Sequence, residues 1–455
     1  MTKYQKYAEY KDSGVEALGL IPKGWSILRG KFLFKEINER SESGEETLLS
    51  VSEYYGVKPR EEKIADGDFL TRAESLEGYK KCYPNDLVMN IMLAWKRGLG
   101  VSKYEGIVSP AYSVFRFSEQ VNSDYIHYLL RTEEYTKYFK TRSTGIIDSR
   151  LRLYPESFGD IFILFPTLEI QTQIANFLDY ETTKIDTLIA KQEKLIELLK
   201  EKRQAVISHA VTKGLNPNVP MKDSGVEWLG EVPEHWRICR LKHVGYIQSG
   251  IAKGKDLTGK TSISVPMLRV ANVQDGYLNL DEVHQIDIEP EQLERYLLQN
   301  GDVLMNEGGD NDKLGRGAVW HNEIKNCIHQ NHVFAIRTTI IEPEWLDILT
   351  RASYAKFHFF RQSKQSTNLA SISATNIKET PILVPPKNER EQILVYLNRQ
   401  FDQFSKLENR CYQQVELLKE RRTAIISAAV TGKIDVRNWQ HSNKNNNQDN
   451  MELSA

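Results

Sequence analysis

Long apolar runs are missing from this sequence of 455 residues: the densest, Ile161 to Phe165, is far shorter than the ~20 residues that span a bilayer. Net charge is also missing, because 60 Lys and Arg balance 61 Asp and Glu. No global field therefore draws the chain to nucleic acid or to an anionic membrane, and any DNA-binding face must be local. Since the N-terminal residues are polar and lack the apolar core of a signal peptide, we expect a cytoplasmic protein.

Cysteine is scarce, and the four cysteines are not spaced as metal ligands usually are. The four cysteines lie far apart without a CxxC pair, at Cys82, Cys239, Cys327 and Cys411. This spacing argues against both a zinc ribbon and a disulfide framework. Cys327, His329 and His332 are close in sequence, but a fourth ligand is not evident. The sequence therefore predicts no metal site.

Motifs of catalysis are absent as well. We find no GxGxxG opening a βαβ unit, no Asn-Pro-Pro-Tyr-like methyltransferase motif, no GxSxG elbow and no HExxH. Residues 254–261 (GKDLTGKT) fit the P-loop pattern GxxxxGK[ST], but Ser262 to Pro266 alternates like a strand where a P-loop must open a helix. We predict that the chain has no catalytic residues and binds no cofactor.

An internal duplication dominates what the sequence does contain. Lys11 to Trp25 (KDSGVEALGLIPKGW) and Lys222 to Trp236 (KDSGVEWLGEVPEHW) are identical at ten of fifteen positions. Leu198 to Thr212 and Leu417 to Thr431 share eleven of fifteen. Between these anchors the halves have diverged, which favours a shared scaffold with two different recognition parts over simple drift in surface loops.

Each half ends in a segment with the periodicity of a coiled-coil helix, the first from about Glu169 to Val211. At ~1.5 Å per residue such a helix is roughly 60 Å long, and its narrow apolar stripe needs a partner, for which the other copy is the obvious candidate. The predicted seam consists of Ile174, Leu178, Ile185, Leu188, Leu195, Leu199 and Val206 in the first helix, and of Ile393, Leu397, Phe404, Leu407, Leu418 and Ile425 in the second.

If a pseudo-two-fold axis relates the halves, the helices cross antiparallel and hold the two diverged domains apart. Two like domains could then meet equivalent groove surfaces of duplex DNA about one helical turn, ~34 Å, from each other. The alternative is that the helices merely dimerise or stiffen the protein. The predicted fold class is α+β, with two α/β domains separated by two long antiparallel coiled-coil helices.

The diverged domains each mix short alternating strands, such as Ser262 to Val265 and His332 to Arg337, with one predicted helix. Those helices lie near Asp124 to Lys140 and near Trp345 to Ser363. Polar loops offer Arg and Lys for phosphates and guanine edges, and Asn and Gln for adenine edges. The candidate DNA-binding residues are Lys80, Lys81, Lys96, Arg97, Arg150 and Arg152 in the first domain, and Lys253, Lys255, Arg316, Gln330, Asn331 and Lys364 in the second.

Taken together, these segments resemble the specificity subunit of type I restriction-modification systems over nearly all of the chain up to about residue 436. In the second half the similar segments are Leu268 to Gly276, Gly301 to Gly309, Gly315 to Gly317 and Ile328 to His332; in the first half they are Leu49 to Gly56, Val108 to Tyr112 and Ala210 to Gly214. The usual Pro-Pro-x-x-Glu-Gln entry to the long helix is altered in both halves, to Phe165-Pro-Thr-Leu-Glu-Ile-Gln171 and Pro385-Pro-Lys-Asn-Glu-Arg-Glu-Gln392.

The resemblance implies two target-recognition domains that each read one half of an asymmetric bipartite site in double-stranded DNA, spaced by helices that dock the modification subunits, of which we expect two. Those partners would bind S-adenosylmethionine and methylate adenine, and separate restriction subunits would use ATP and Mg²⁺ to cut DNA. The alternatives are a coiled-coil structural adaptor and a stand-alone nuclease or methyltransferase.

The resemblance also divides the chain into scaffold and recognition segments. We expect scaffold segments at 1–25 and 216–236, target-recognition domains at 26–165 and 237–384, long helices within 166–215 and 385–436, and a disordered tail at 437–455. The tail is rich in Asn, Gln and Ser.

Overall fold

The computed structural model of the chain describes residues 4–60, 75–252, 257–309, 314–365 and 370–440. Its contacts divide the chain into two units. Unit 1 combines residues 1–192 with 413–455, whereas unit 2 is the continuous segment 193–412. Most of the predicted tail, from residue 441, lies outside the described residues.

Short strands precede one long helix in each half of the chain. In chain order the first half contains the strands β1 (Tyr10–Asp12), β2 (Leu20–Pro22), β3 (Ser26–Arg29), β4 (Phe34–Ile37), β5 (Leu49–Ser52), β6 (Gly56–Pro59), β7 (Lys80–Cys82), β8 (Leu87–Asn90), β9 (Leu99–Val101), β10 (Gly106–Val108), β11 (Tyr112–Phe117) and β12 (Phe162–Phe165), and the helices α1 (Ser123–Leu130), α2 (Glu133–Arg142), α3 (Pro155–Gly159) and α4 (Leu168–Lys213).

The second half repeats this order with more strands. It contains β13 (Met221–Asp223), β14 (Glu231–Pro233), β15 (Arg237–Arg240), β16 (Gly245–Ser249), β17 (Ile263–Leu268), β18 (His284–Ile288), β19 (Val303–Asn306), β20 (Gly308–Gly309), β21 (Gly317–Val319), β22 (Ile328–His329), β23 (Val333–Thr338), β24 (Lys364–Gln365), β25 (Ala370–Ser371) and β26 (Pro381–Val384), and the helices α5 (Leu293–Tyr296), α6 (Pro343–Arg351), α7 (Ser353–Gln362), α8 (Ala374–Lys378) and α9 (Lys387–Val430). Within the described ranges, none of the helices combines the length and apolar content that crossing a membrane requires.

The duplication seen in the sequence extends to the sheets. Unit 1 has a four-stranded sheet of order β4-β11-β8-β9, and unit 2 has its counterpart, β16-β23-β19-β21. In each unit the strand before the long helix pairs antiparallel with the strand that opens the domain, as β12 with β3 and β26 with β15. The diverged domains have therefore kept one fold.

The segment that resembles a P-loop is followed by a strand, β17, and not by the helix that a P-loop opens.

The repeated KDSGVE segments form hairpins that cover the ends of the long helices. The hairpin β1-β2 lies at the end of α9, where the Tyr10 hydroxyl donates to the Gly432 carbonyl over 3.0 Å. The hairpin β13-β14 lies at the end of α4, where the Lys213 ammonium donates to the Glu231 carbonyl. Trp25 and Trp236, which follow the two hairpins, are each only 1% exposed. One of the two most similar parts of the duplication thus covers the end of a long helix and carries a buried indole.

The two long helices pair within each unit, as expected for antiparallel neighbours. In unit 1 the Arg422 guanidinium of α9 donates to the Asp186 carboxylate of α4 over 2.8 Å. In unit 2 Arg203 of α4 donates to the Ser405 hydroxyl over 3.2 Å and lies 3.7 Å from the Glu408 carboxylate. The end of one helix therefore packs on the beginning of the other.

The predicted heptad seam is wrong at three positions. Leu188, Leu195 and Leu407 are 42%, 43% and 44% exposed. In α4 the residues buried after Ile185 are Ile196, Ile207, Ala210 and Val211, and the first two follow Ile185 at steps of eleven positions. A straight α-helix has 3.6 residues per turn and drifts ~20° per heptad, so an eleven-residue spacing follows its contact face better than a strict heptad. The buried residues of the predicted seam are Ile174, Leu178, Ile185, Ile393, Leu397, Phe404 and Ile425, while Leu199, Val206 and Leu418 are partly buried.

Each predicted domain helix is two helices in the structure. The Thr132 hydroxyl caps α2 by accepting from the Tyr135 N–H, so the chain turns between α1 and α2. In unit 2 the extended backbone of Ala352 ends α6 and begins α7. Thr is a favoured N-cap because its side chain satisfies a free helical N–H.

Buried polar side chains join each domain to the start of its long helix. Gln171 of α4 donates to the Pro166 carbonyl over 2.9 Å and accepts from the N–H of Asn122, the N-cap of α1. Arg390 of α9 donates to the Pro385 carbonyl over 2.7 Å and forms two bonds to Glu342, the N-cap of α6. The altered helix entries thus use Gln in one half and Arg in the other for the same contacts.

A second pair of equivalent contacts anchors the central strands. The Asp86 carboxylate, before β8, accepts two bonds of 3.0 Å from Arg116. The Asp302 carboxylate, before β19, accepts bonds of 2.8 and 3.2 Å from Arg337. A bidentate pair of Arg with a carboxylate fixes orientation as well as distance. Both strands lead directly into loops that carry candidate DNA-binding residues.

The histidine of α1 predicts how unit 1 responds to acid. Burial, then the charge of Arg131, lowers the pKa of His127 to about 3, and its Nδ1 accepts from the Val101 N–H over 3.1 Å. Below pH ~6.5 the unfolded chain protonates this histidine while the folded chain does not, so folding stability falls as pH falls. When the pH is lowered from 7 to 5, the free energy of unfolding should fall by about 2 kcal/mol more in the wild type than in the variant His127→Gln. Denaturant titrations at the two pH values measure both decreases. Parallel losses in the two proteins would contradict this assignment.

Candidate nucleic-acid interface

Two loops of unit 1 form one exposed basic surface. The first, residues 91–98, is the turn between β8 and β9, and the second, residues 143–154, is a hairpin between α2 and α3. A bond of 2.8 Å from the Leu153 N–H to the Ile91 carbonyl holds them together. We call residues 91–98 and 143–154 the first surface.

Cations and an aromatic ring define the chemistry of the first surface. The ammonium groups of Lys96 and Lys140 lie 4.8 and 5.0 Å from the ring centroid of Trp95. Lys140 also pairs with Asp148 over 2.9 Å. Arg150 is exposed and Arg152 is half-buried. The candidate residues of the two loops therefore come together, although more than fifty positions separate Lys96 from Arg150.

Arg97 lies where the first surface meets a groove of roughly 1010 Å³. Its backbone is left-handed, with φ of 65°, and its carbonyl accepts from Arg131 over 2.8 Å. Burial, then repulsion from Arg97, lowers the pKa of Arg131 to about 10, which leaves it charged at neutral pH. The exposed side chains of Tyr54 and Tyr55 line the same groove. The groove adds aromatic faces to this side of unit 1, and its charged lining is mixed, with four Glu beside five Lys and Arg.

Three loops come together in unit 2 at the equivalent place. The Glu307 N–H donates to the His332 carbonyl over 2.9 Å, and the Ile372 N–H donates to the Glu307 carbonyl over 2.9 Å. The strand β25 pairs with both β20 and β24, which brings Lys364 to the same region. We call residues 306–309, 330–332, 364–365 and 370–372 the second surface. Gln330 and Asn331 are half-buried there, while Lys364 is exposed.

The remaining candidates lie elsewhere or are paired with protein carboxylates. Lys80, on β7, is buried, and its ammonium lies 3.6 Å from the Glu36 carboxylate. Lys81 lies 3.4 Å from Glu46. A buried, paired ammonium presents little charge to a ligand, so we do not carry Lys80 into the interface. The Arg316 carbonyl accepts from the Asn306 N–H, which places Arg316 beside the second surface, and Lys253 and Lys255 lie outside the described residues.

Sequence reasoning missed the apolar part of the first surface. Ile146 is 100% exposed and Ile147 is 54% exposed, at the tip of the 143–154 hairpin. Met92 and Leu93 of the neighbouring loop are 36% and 42% exposed. The available signal was a pair of isoleucines within a polar segment, Ser143 to Arg150.

The histidines near Cys327 have structural partners. His329 is buried, which lowers its pKa, and its Nδ1 lies 2.6 Å from the Val333 carbonyl. His332 lies 2.8 Å from the Glu307 carboxylate, within the second surface. Among the described residues, no group of three or more His, Cys, Asp or Glu side chains could hold a metal ion.

The architecture defines a class of protein: two copies of a mixed α/β domain, each bonded to the start of a long helix and each carrying a loop surface with Lys, Arg, Gln or Asn. Residues 233–417 match the family described as the type I restriction modification DNA specificity domain, and over most of its length the chain is similar to the specificity subunits of type I restriction enzymes.

Similar proteins cover nearly the whole chain. The specificity subunit of the type I restriction enzyme EcoKI from Escherichia coli K12 is 22% identical over 93% of this chain and 92% of its own length. A chain of a solved type I restriction-modification system has a TM-score of 0.64 at 17% identity, over 90% of this chain and 98% of its own. The HsdS subunit from Thermoanaerobacter tengcongensis has a TM-score of 0.51 at 16% identity, over 91% and 98%. These likenesses support the α+β fold with its two long helices.

Proposed function

We propose that this chain gives a type I restriction-modification complex its DNA sequence specificity, with each domain reading one half of an asymmetric bipartite site. The observation that carries the proposal is that two copies of one domain each gather polar loop residues onto one surface. Because the loops of the two surfaces differ in sequence, the two half-sites differ too. Residues 26–165 and 237–384 are the two target-recognition domains.

The contacts divide by chemistry between the two surfaces. Lys96, Arg97, Arg150 and Arg152 contact phosphates or guanine edges in the first half-site. Gln330 and Asn331 suit adenine edges in the second, where Arg316 and Lys364 supply positive charge. Lys81, Lys253 and Lys255 remain candidates for phosphate contacts.

The long helices space the domains and dock the modification subunits, two per complex. Buried contacts of Gln171 and Arg390 at the helix entries support this role, because a spacer works only if each domain is fixed to it. The modification subunits bind S-adenosylmethionine and methylate adenine, while the restriction subunits use ATP and Mg²⁺. This chain itself binds no cofactor and contributes no catalytic residue.

Exchange of a domain tests the proposal. When residues 26–165 are replaced by the equivalent segment of another family member, sequencing of methylated host DNA should show one half-site changed and the other retained. Exchange of residues 237–384 is the matched control and should change the other half-site. A change in both half-sites after either exchange would contradict modular recognition, and a purified complex without any sequence preference would contradict the function.

A further inference from the structure

The tip of the 143–154 hairpin combines exposed apolar side chains with exposed arginines. Ile146 is fully exposed, and Ile147 beside it is more than half exposed. Single apolar residues are common on protein surfaces, but two adjacent branched residues at a loop tip leave a contiguous apolar surface in contact with water. Arg142 and Arg150, both exposed, lie on the two sides of the tip.

The two sides of the hairpin meet at one antiparallel β-bridge, between Thr144 and Arg152, and a 3-10 turn at Asp148–Arg150 lies between them. The Thr144 N–H donates to the Arg152 carbonyl over 2.8 Å, and the Arg152 N–H donates back over 2.9 Å. Gly145 has φ of +150°, and a Cβ there would lie 2.6 Å from the Arg150 carbonyl oxygen. The two sides are therefore close together, and the tip projects the isoleucines outward. The major groove of B-DNA admits a two-stranded β-ribbon and is therefore wide enough for a narrow hairpin loop.

The groups that base pairs expose in the major groove indicate which of them an isoleucine can contact. An isoleucine side chain cannot hydrogen-bond, and the C5-methyl of thymine is the apolar group that base pairs present in the major groove. The flanking arginines complement the phosphates on either side of that groove. In the second half of the chain the corresponding segment, Lys364 to Ser371 (KQSTNLAS), offers mainly amide and hydroxyl groups.

We propose that Ile146 and Ile147 read thymine in the half-site of the first domain, by packing against its methyl group in the major groove. The assignment rests on the proposed function, since it presumes that the first surface faces DNA. The proposal assigns a preference for one base, thymine, to two named side chains. It also predicts that the two half-sites are read by different chemistry, apolar contact in the first and hydrogen bonding in the second.

Replacement of thymine by deoxyuridine tests the proposal, because it removes only the methyl group. The complex of this chain with its modification subunits would be titrated with DNA in which each thymine of the first half-site is replaced in turn. Loss of one buried methyl corresponds to about fourfold weaker binding. We expect at least one such position for the wild type, and none for the variant Ile146→Ser with Ile147→Ser.

Matched variants separate this contact from general damage. Ile146→Val keeps a branched apolar side chain and should keep the sensitivity to deoxyuridine. Phe32→Ser removes another exposed apolar residue, 67% exposed, and should leave both affinity and sensitivity unchanged. Arg150→Ala should lower the dependence of binding on salt by about one counterion, whereas the isoleucine variant should keep the wild-type salt slope.

The outcomes distinguish the inference from the function on which it rests. A half-site without thymine, or binding that ignores every deoxyuridine, would overturn the inference while sequence-specific binding persists. Sensitivity that survives in the double serine variant would overturn it too. If the wild type binds more tightly to DNA with a mismatch at one step and ignores deoxyuridine, the isoleucines wedge between bases instead. Absence of any sequence preference would overturn the proposed function itself.

Discussion

Replacement of Asp302 by alanine is expected to lower the free energy of unfolding of unit 2 by about 3–5 kcal/mol. The Asp302 side chain is 1% exposed and its partner Arg337 is 17% exposed, so the variant leaves a guanidinium without its carboxylate in a largely dry site. The Gln299 N–H, which donates to Asp302 over 2.8 Å, also loses its acceptor. Denaturant unfolding followed by tryptophan fluorescence measures the loss.

The equivalent pair in unit 1 provides the comparison. Asp86 is 3% exposed, but its partner Arg116 is 43% exposed. Water therefore solvates the guanidinium that Asp86→Ala leaves behind, and we expect a smaller loss than for Asp302→Ala. Asp302→Asn keeps one acceptor oxygen and should fall between the wild type and Asp302→Ala. A loss below about 1 kcal/mol for Asp302→Ala would contradict the role of the pair as an anchor.

Replacement of Gly432 by alanine should have the second large effect, a loss of about 3 kcal/mol. Gly432 has φ of +73°, and a Cβ there would lie 2.4 Å from Cγ and 2.5 Å from Cδ of Pro22. The alanine is thus strained in its own backbone and also displaces the β1-β2 hairpin from the end of α9. Thermal and denaturant unfolding of the full chain would measure the combined effect.

Gly214, at the end of α4, is the matched control. Its φ is +74°, but a Cβ there would meet Oε1 of Glu389 at 3.1 Å and Cζ2 of Trp236 at 3.3 Å, contacts that small shifts relieve. Gly214→Ala should therefore lose only the backbone contribution, about 1–2 kcal/mol. If Gly214→Ala were the more damaging of the two, the clash with Pro22 would not be the cause of the loss at Gly432.

The long helices and the duplicated halves could be predicted from the sequence, because each rests on a long or repeated pattern of residues. The duplication indicated that the two halves share one scaffold, and the periodicity placed α4 within two residues of its observed ends, Leu168 and Lys213. The seam failed at Leu188 and Leu195 because a heptad template assumes 3.5 residues per turn, whereas the buried positions of α4 follow the straighter helix. Leu407 of α9 is exposed as well.

The convergence of loops could not be predicted, because it depends on contacts between distant segments. Nothing in the sequence near Lys96 indicates that Leu153 bonds to Ile91, and so the first surface was visible only as separate basic loops. The ion pair of Lys80 with Glu36 also joins residues that are far apart in the sequence. The break between α1 and α2 depends on one capping hydroxyl, Thr132, which a helical pattern on both sides conceals.

Unit 1 is built from both ends of the sequence, so its residues are not all made before those of unit 2. Its core includes Ile425, Ala429 and Val436 as well as Trp25 and Ile174. Unit 2, by contrast, is complete once residue 412 has left the ribosome. Domains generally fold as units, in the order in which they are made. All residues of unit 2 are therefore available before the last residues of the unit 1 core, in the final turns of α9 and beyond, have been made.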